Sequence, residues 1–192
     1  MTQPRRWRQT WLALAIASVI VLLDQFVKDL LIAQLEPGRS TPFLGDFIKL
    51  YLTYNDSAAF SMGFGQTWIF TLLSSVASLT LLAYLPKLQT PSWMAMAGVA
   101  LGGIVGNLVD RFTRPPGFGV GQVVDYIQVP LNFPIFNLAD TAIVSAAILT
   151  VIRIFIGDFI GQRTTKSIKA QAAREASAEA EARAAASGAD QQ

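Results

Sequence analysis

Residues 123–140 read VVDYIQVPLNFPIFNLAD, which sets two aspartates, Asp125 and Asp140, fifteen positions apart in a chain with only 15% charged residues. Two carboxyl groups brought within a few ångströms cannot both ionise cheaply, so one keeps its proton. Such a pair offers a base to activate water and an acid to protonate a leaving amine, which is what peptide hydrolysis needs. Composition closes other routes. The 192 residues include no histidine and no cysteine. That excludes a disulfide, a thiol nucleophile, a lipid attached to cysteine and a Cys-ligated zinc site. It also excludes a Ser-His-Asp triad and a His-ligated metal. Any chemistry falls to carboxylates, lysine, hydroxyls or backbone, and neither a metal nor a cofactor is expected.

Other ionisable and amide residues stand in apolar surroundings, where each is expensive and calls for a partner or a role. Asp24 and Lys28 are four apart, on one helix face, and read alone as a self-neutralising pair. Asn107 and Asp110 are three apart and Arg111 follows; alone, they read as a polar helix end with the arginine reaching to the membrane interface. Asn137-Leu138-Ala139-Asp140 reads as an N-cap with an acid three residues on, a variant of the capping box.

The elements that must position these residues are membrane helices. A bilayer core of roughly 30 Å takes about 20 apolar residues per helix. Four stretches approach that length: Trp11–Ala33, Thr67–Leu85, Trp93–Val109 and Leu138–Ile156. The first is not expected to be a cleavable signal, because its small-residue site at Ala15–Ala17 falls inside the apolar run. Lysine and arginine are densest at the N-terminal arm and after the fourth helix, so both termini are expected in the cytoplasm and the two long connections outside. On that orientation Asp24, Lys28 and Asn107–Arg111 lie in the outer halves of their helices. Asp140 lies about 5 Å inside the fourth helix at 1.5 Å per residue, and Asp125 sits in the loop feeding that end. Scattered structural pairs have no reason to agree on depth. A site does.

The connections carry less. Phe47–Thr53 reads as a strand, Asn55-Asp56-Ser57 as a turn and Ala58–Met62 as a second extended piece, suggesting a small sheet on the membrane surface. The prolines and glycines of RFTRPPGFGVGQ mark a surface loop, and Val123-Val124 a short strand leading to Asp125. Gly98, Gly102 and Gly106 form one stripe on the third helix, expected to allow close helix packing. The chain divides into a membrane domain, 1–162, and an Ala-rich tail, 163–192, expected to be a lone helix or disordered. The net charge of +2 comes mostly from the flanks and suits an anionic inner leaflet; no nucleic-acid partner is expected.

At these positions the sequence resembles lipoprotein signal peptidase (signal peptidase II). Asp24-Gln25-x-x-Lys28, Asn55-Asp56-Ser57-Ala58-Ala59-Phe60, Gly102 to Arg111, Val123 to Tyr126 and Phe136 to Asp140 resemble five motifs of that family, in its order. Ser57 stands where the family usually has glycine. The resemblance implies an α-helical membrane protein with four transmembrane helices and a small extracytoplasmic β-sheet. It implies an aspartic endopeptidase of the bacterial inner membrane, acting near the extracytoplasmic face, with Asp125 and Asp140 catalytic. The implied substrate is a diacylglyceryl-modified prolipoprotein, cut before the lipidated cysteine, with membrane lipid as a further partner and the enzyme a monomer. Asn55, Asn107, Asp110, Arg111, Asn137 and Ala139 would then position substrate or hold the dyad, and Asp24 and Lys28 would support the site. A proton- or ion-coupled carrier would instead need charges through the full bilayer thickness, and a scaffold would lose stability rather than activity when an aspartate is neutralised.

Overall fold

The computed structural model describes residues 3–56, 67–88, 90–156 and 173–178. Four helices dominate it: α1 (Gln3–Gln34), α2 (Thr67–Tyr84), α3 (Pro91–Thr113) and α4 (Leu138–Phe155). Each holds a segment long and apolar enough to cross a membrane, as the spacing of apolar runs predicts. The chain is a multi-pass membrane protein.

α3 is the central helix. Half of its span is buried inside the protein, against 17% for α1 and α2 and 11% for α4. It packs along α1 and α4, and less extensively on α2. Its glycines explain how closely. A Cβ on Gly98 would lie 2.6 Å from the Ala13 carbonyl oxygen, and one on Gly102 would lie 2.9 Å from that of Ala17. On another face, a Cβ on Gly103 would lie 2.5 Å from the Ala139 oxygen of α4. With no hydrophobic driving force between helices in lipid, this close approach supplies the packing. At the end away from the sheet, Ala13, Trp93, Met94 and Leu101 form an apolar cluster with Leu85 and Leu88. The other helix faces present large apolar side chains outward, such as Phe26, Leu79 and Ile152.

Three antiparallel strands, β1 (Ser40–Leu44), β2 (Ile48–Asn55) and β3 (Val123–Gln128), form one sheet in sequence order. Leu52, Val124 and Tyr126 pack on Leu31, which fixes the sheet against the end of α1. The expected strand at 47–53 is β2, shifted slightly. Its neighbour β1 gave no alternating signal, because all five of its residues are exposed and Pro42 suits only an edge. The extended piece expected at 58–62 lies outside the described residues, as does Ser57. Asp125 is not in a loop as expected: it is the third residue of β3, pairing with Thr53. The apolar residues around it face buried surroundings on both sides of the strand, which removes the alternation that would have revealed its length. Of the tail, residues 173–178 are helical and exposed.

Candidate active site

The site is built where α3, α4 and the sheet meet. α4 begins with a capping box: the Asn137 Oδ1 accepts from the Asp140 backbone N–H at 2.9 Å, and the Asp140 Oδ2 accepts from the Asn137 N–H at 3.1 Å. The N-terminal end of a helix favours an anion, so this cap places the Asp140 carboxylate where its charge is welcome. The Asn137 amide nitrogen is left free to point the other way. It donates to the Asp125 Oδ1 at 2.6 Å and to the Asn107 Oδ1 at 3.0 Å. Asn107, on α3, donates to the Asp140 Oδ1 at 2.7 Å. Asn55, the last residue of β2, donates to the Asp125 Oδ2 at 2.8 Å. Two asparagines therefore link the two aspartates.

Asp125 and Asp140 line one cavity of about 570 Å³ together with Asn55, Asn107 and Arg111. Its remaining walls are largely apolar and include Phe70 of α2, Phe133, Phe136 and Val144 of α4. Asp125 is only 3% exposed. Burial pushes its carboxyl up from 3.8 to about 7, and the nearby Asp140 carboxylate pushes the same way. Hydrogen bonds from Asn55 and Asn137, and the Lys28 charge, oppose the rise. Asp125 therefore holds a proton up to near neutrality.

Behind the cavity lies a buried ionic cluster. Asp24, Lys28 and Asp110 are all 0% exposed. The Lys28 ammonium lies 2.7 Å from both the Asp24 Oδ2 and the Asp110 Oδ2, and donates to the Asn107 Oδ1 at 3.1 Å. Its three donors are thereby used, and the last bond turns the Asn107 NH2 toward Asp140. The other Asp24 oxygen accepts the Ala139 backbone N–H at 3.0 Å, tying α1 to the first turn of α4. The pair at 24 and 28 is thus more than self-neutralising. Arg111 also departs from its local reading. It is 6% exposed, set 5.7 Å from the Phe70 ring centroid, and faces the cavity rather than the interface.

The sequence-predicted residues divide evenly. Asp125, Asp140, Asn55, Asn107 and Arg111 face the cavity, while Asp24, Lys28, Asp110, Asn137 and Ala139 stand behind it. Sequence reasoning missed Arg114, whose Nε donates to the Asp110 Oδ1 at 2.7 Å. It also missed Tyr126, whose hydroxyl accepts the Leu138 N–H at 3.2 Å. Arg114 was read in the sequence as one loop charge among several, although its i,i+4 spacing from Asp110 was the signal that could have found it. Gln25 was visible inside the first motif, yet nothing local foretold its bonds to the Gly106 oxygen and the Asp110 Oδ1, both at 3.1 Å.

A family profile described as Signal peptidase (SPase) II matches residues 16–156, which take in α1 from residue 16 onward, the other three membrane helices, the sheet and every residue of the site. The chain belongs to the signal peptidase II family. A lipoprotein signal peptidase of Leifsonia xyli subsp. xyli is 42% identical over 145 residues, 73% of this chain and 67% of that protein. One of Rhodococcus jostii is 41% identical over 155 residues, 81% and 78% of the two chains. One of Mycobacterium tuberculosis is 39% identical over 163 residues, 83% and 79%. Two solved structures of bacterial membrane enzymes share the fold at 24% identity. Their TM-scores are 0.66 and 0.65, and the likeness covers 74% of this chain with 87% and 91% of theirs. Like its family, the protein is a peptidase.

Proposed function

We propose that this chain is an aspartic endopeptidase that removes signal peptides from diacylglyceryl-modified bacterial prolipoproteins, cutting before the lipidated cysteine, with Asp125 and Asp140 as the catalytic pair. The observation that supports this most is the linked geometry: two carboxyl groups on one cavity, joined through Asn137 and Asn107. Asp140, half-buried at a helix N-terminus, takes a proton from water as the water oxygen attacks the scissile carbonyl carbon. Asp125 donates its proton to the carbonyl oxygen. Collapse of the resulting tetrahedral intermediate breaks the C–N bond; the proton on Asp140 passes to the leaving amine, and Asp125 recovers its own from the gem-diol. No metal is needed in this sequence of steps.

The apolar walls give a reason for lipid dependence. Phe70, Phe133, Phe136 and Val144 can receive acyl chains beside the reacting carboxyls, so binding energy from the lipid orients the peptide bond. Membership of the family supports placement in the bacterial cytoplasmic membrane, and the distribution of lysine and arginine supports both termini inside and the sheet outside. We take the enzyme to work as a monomer, because one chain supplies both aspartates and their supports. The test is release of signal peptide in detergent from a diacylglyceryl-modified precursor, with unmodified precursor as control. The modified precursor should be cleaved and the unmodified one left intact; equal cleavage of both would overturn the assignment of substrate.

A further inference from the structure

The buried cluster behind the cavity is not balanced by its own members. Two carboxylates, Asp24 and Asp110, face one ammonium, Lys28, with all three at 0% exposure. With both carboxyls ionised one negative charge is left over, and burying an unbalanced charge is costly. Arg114, the residue that caps the C-terminal end of α3, supplies the missing cation. Its Nε lies 2.7 Å from the Asp110 Oδ1 and its Nη2 lies 2.9 Å from the Asp29 Oδ1 on α1. Arg114 is 16% exposed and Asp29 is 70% exposed, so the ionic chain runs from the buried cluster to the surface.

What Arg114 holds matters to both aspartates. The Asp110 Oδ2 accepts the Val124 backbone N–H at 3.2 Å, one residue before Asp125, and so pins the strand that carries it. The same oxygen holds Lys28, whose ammonium orients the Asn107 amide that donates to Asp140. We propose that Arg114 is a positioning residue for the peptidase reaction: by neutralising and orienting Asp110 it fixes the Asp125 strand on one side and the Lys28–Asn107–Asp140 arm on the other. The proposal rests on the reading of Asp125 and Asp140 as the catalytic pair.

Replacing the guanidinium by a neutral amide leaves Asp110 with an excess negative charge and one fewer donor. The charged groups around the Asp125 end of the site are Lys28, Asp24 and Asp29 of α1, Asp56 after β2, Asp110 and Arg111 of α3, and Asp140 of α4. Arg114 adds a cation beside that set, and its removal leaves the Asp110 charge uncompensated, which disfavours ionisation of Asp125, so the alkaline limb of activity, where Asp125 loses its proton, moves to higher pH.

The experiment measures kcat, KM and the pH profile on lipidated precursor for Arg114→Gln, Arg114→Lys and Asp29→Asn in the full chain, beside Asp125→Asn. Arg114→Gln should lower kcat by roughly 10-fold with KM within about twofold, the scale expected of a small misplacement of reacting groups. Its alkaline limb should rise by about half a pH unit. Arg114→Lys should recover most of kcat, because one cation still reaches Asp110, and Asp29→Asn should stay within about twofold of the parent. Parental kcat and an unmoved pH limb in Arg114→Gln would overturn the positioning role, as would equal damage from Lys and Gln. Survival of activity in Asp125→Asn would instead strike the underlying dyad, which keeps the two failures apart.

Discussion

Asn137 joins three parts of the site within one side chain. Its oxygen caps α4, while its nitrogen donates to Asp125 and to Asn107. Truncation to alanine removes the cap, worth about 1 kcal/mol, and also the bond that sets Asp125 relative to Asp140. Asn137→Ala should therefore lose activity by far more than its loss of thermal stability implies. Parental activity at an unchanged Tm would contradict that linkage. Asp125 makes a second prediction, from its own proton. Its pKa of about 7 in the folded protein lies above the ordinary 3.8, so between those values the folded state binds the extra proton. The stabilising contribution is full below about pH 4 and is lost as pH rises toward 7. Asp125→Asn cannot ionise and escapes that loss. Its Tm relative to the parent should thus improve between pH 4 and pH 8 in detergent. A Tm difference that stays flat over that range would show that the carboxyl is not held protonated by its surroundings.

Among the elements, α3 governs the rest because it touches the other three helices and carries Asn107, Asp110 and Arg111. Its glycine stripe at 98, 102 and 106 was readable in the sequence as a close-packing face, and the structure places α1 against it. Gly98→Ala would push a methyl group into the Ala13 backbone and should cost roughly 1–3 kcal/mol. Gly117→Ala, with nothing within 4 Å of the new methyl, should leave Tm near the parent value. Equal effects from the two would mean the stripe is not a contact. The four helices were legible because membrane spans announce themselves by length and apolarity. The common depth of Asp24, Lys28, Asp110 and Asp140 followed from helix direction alone. β1 was not legible, since an exposed edge strand with proline leaves no periodic trace. Nor was the turning-in of Arg111, because its partner ring belongs to Phe70 on another helix. Arg114 was hidden only in part: its bond to Asp29 joins residues 85 positions apart, whereas its pairing with Asp110 stands at i,i+4 spacing and was readable. Local pattern reveals where polar groups cluster and the bonds within one helix, such as Asp24 to Lys28 and the Asn137–Asp140 capping box, but not the bonds that join different elements.

For the whole molecule, the buried charged residues among those described, Asp24, Lys28, Asp110, Arg111 and Asp125, gather at one end of the helix bundle. That arrangement fits surface chemistry better than passage of ions across the membrane. Orientation can be tested directly because the chain has no cysteine. A single cysteine at Phe118→Cys, 81% exposed in the parent, should react with an impermeant maleimide in intact spheroplasts, whereas Ser177→Cys should react only after lysis. The reverse pattern would invert the topology. Truncation after residue 162 should leave cleavage within about twofold, because the residues that build the site all precede it; loss of cleavage would make the tail part of the working enzyme. The most direct measurement concerns the dyad itself: cleavage and binding of lipidated precursor by purified Asp125→Asn and Asp140→Asn. Each variant should bind the precursor within a few-fold of the parent and cleave it at least about 1,000-fold more slowly. Cleavage by either at a rate close to the parent would contradict the account, since that carboxyl would then take no part in breaking the bond.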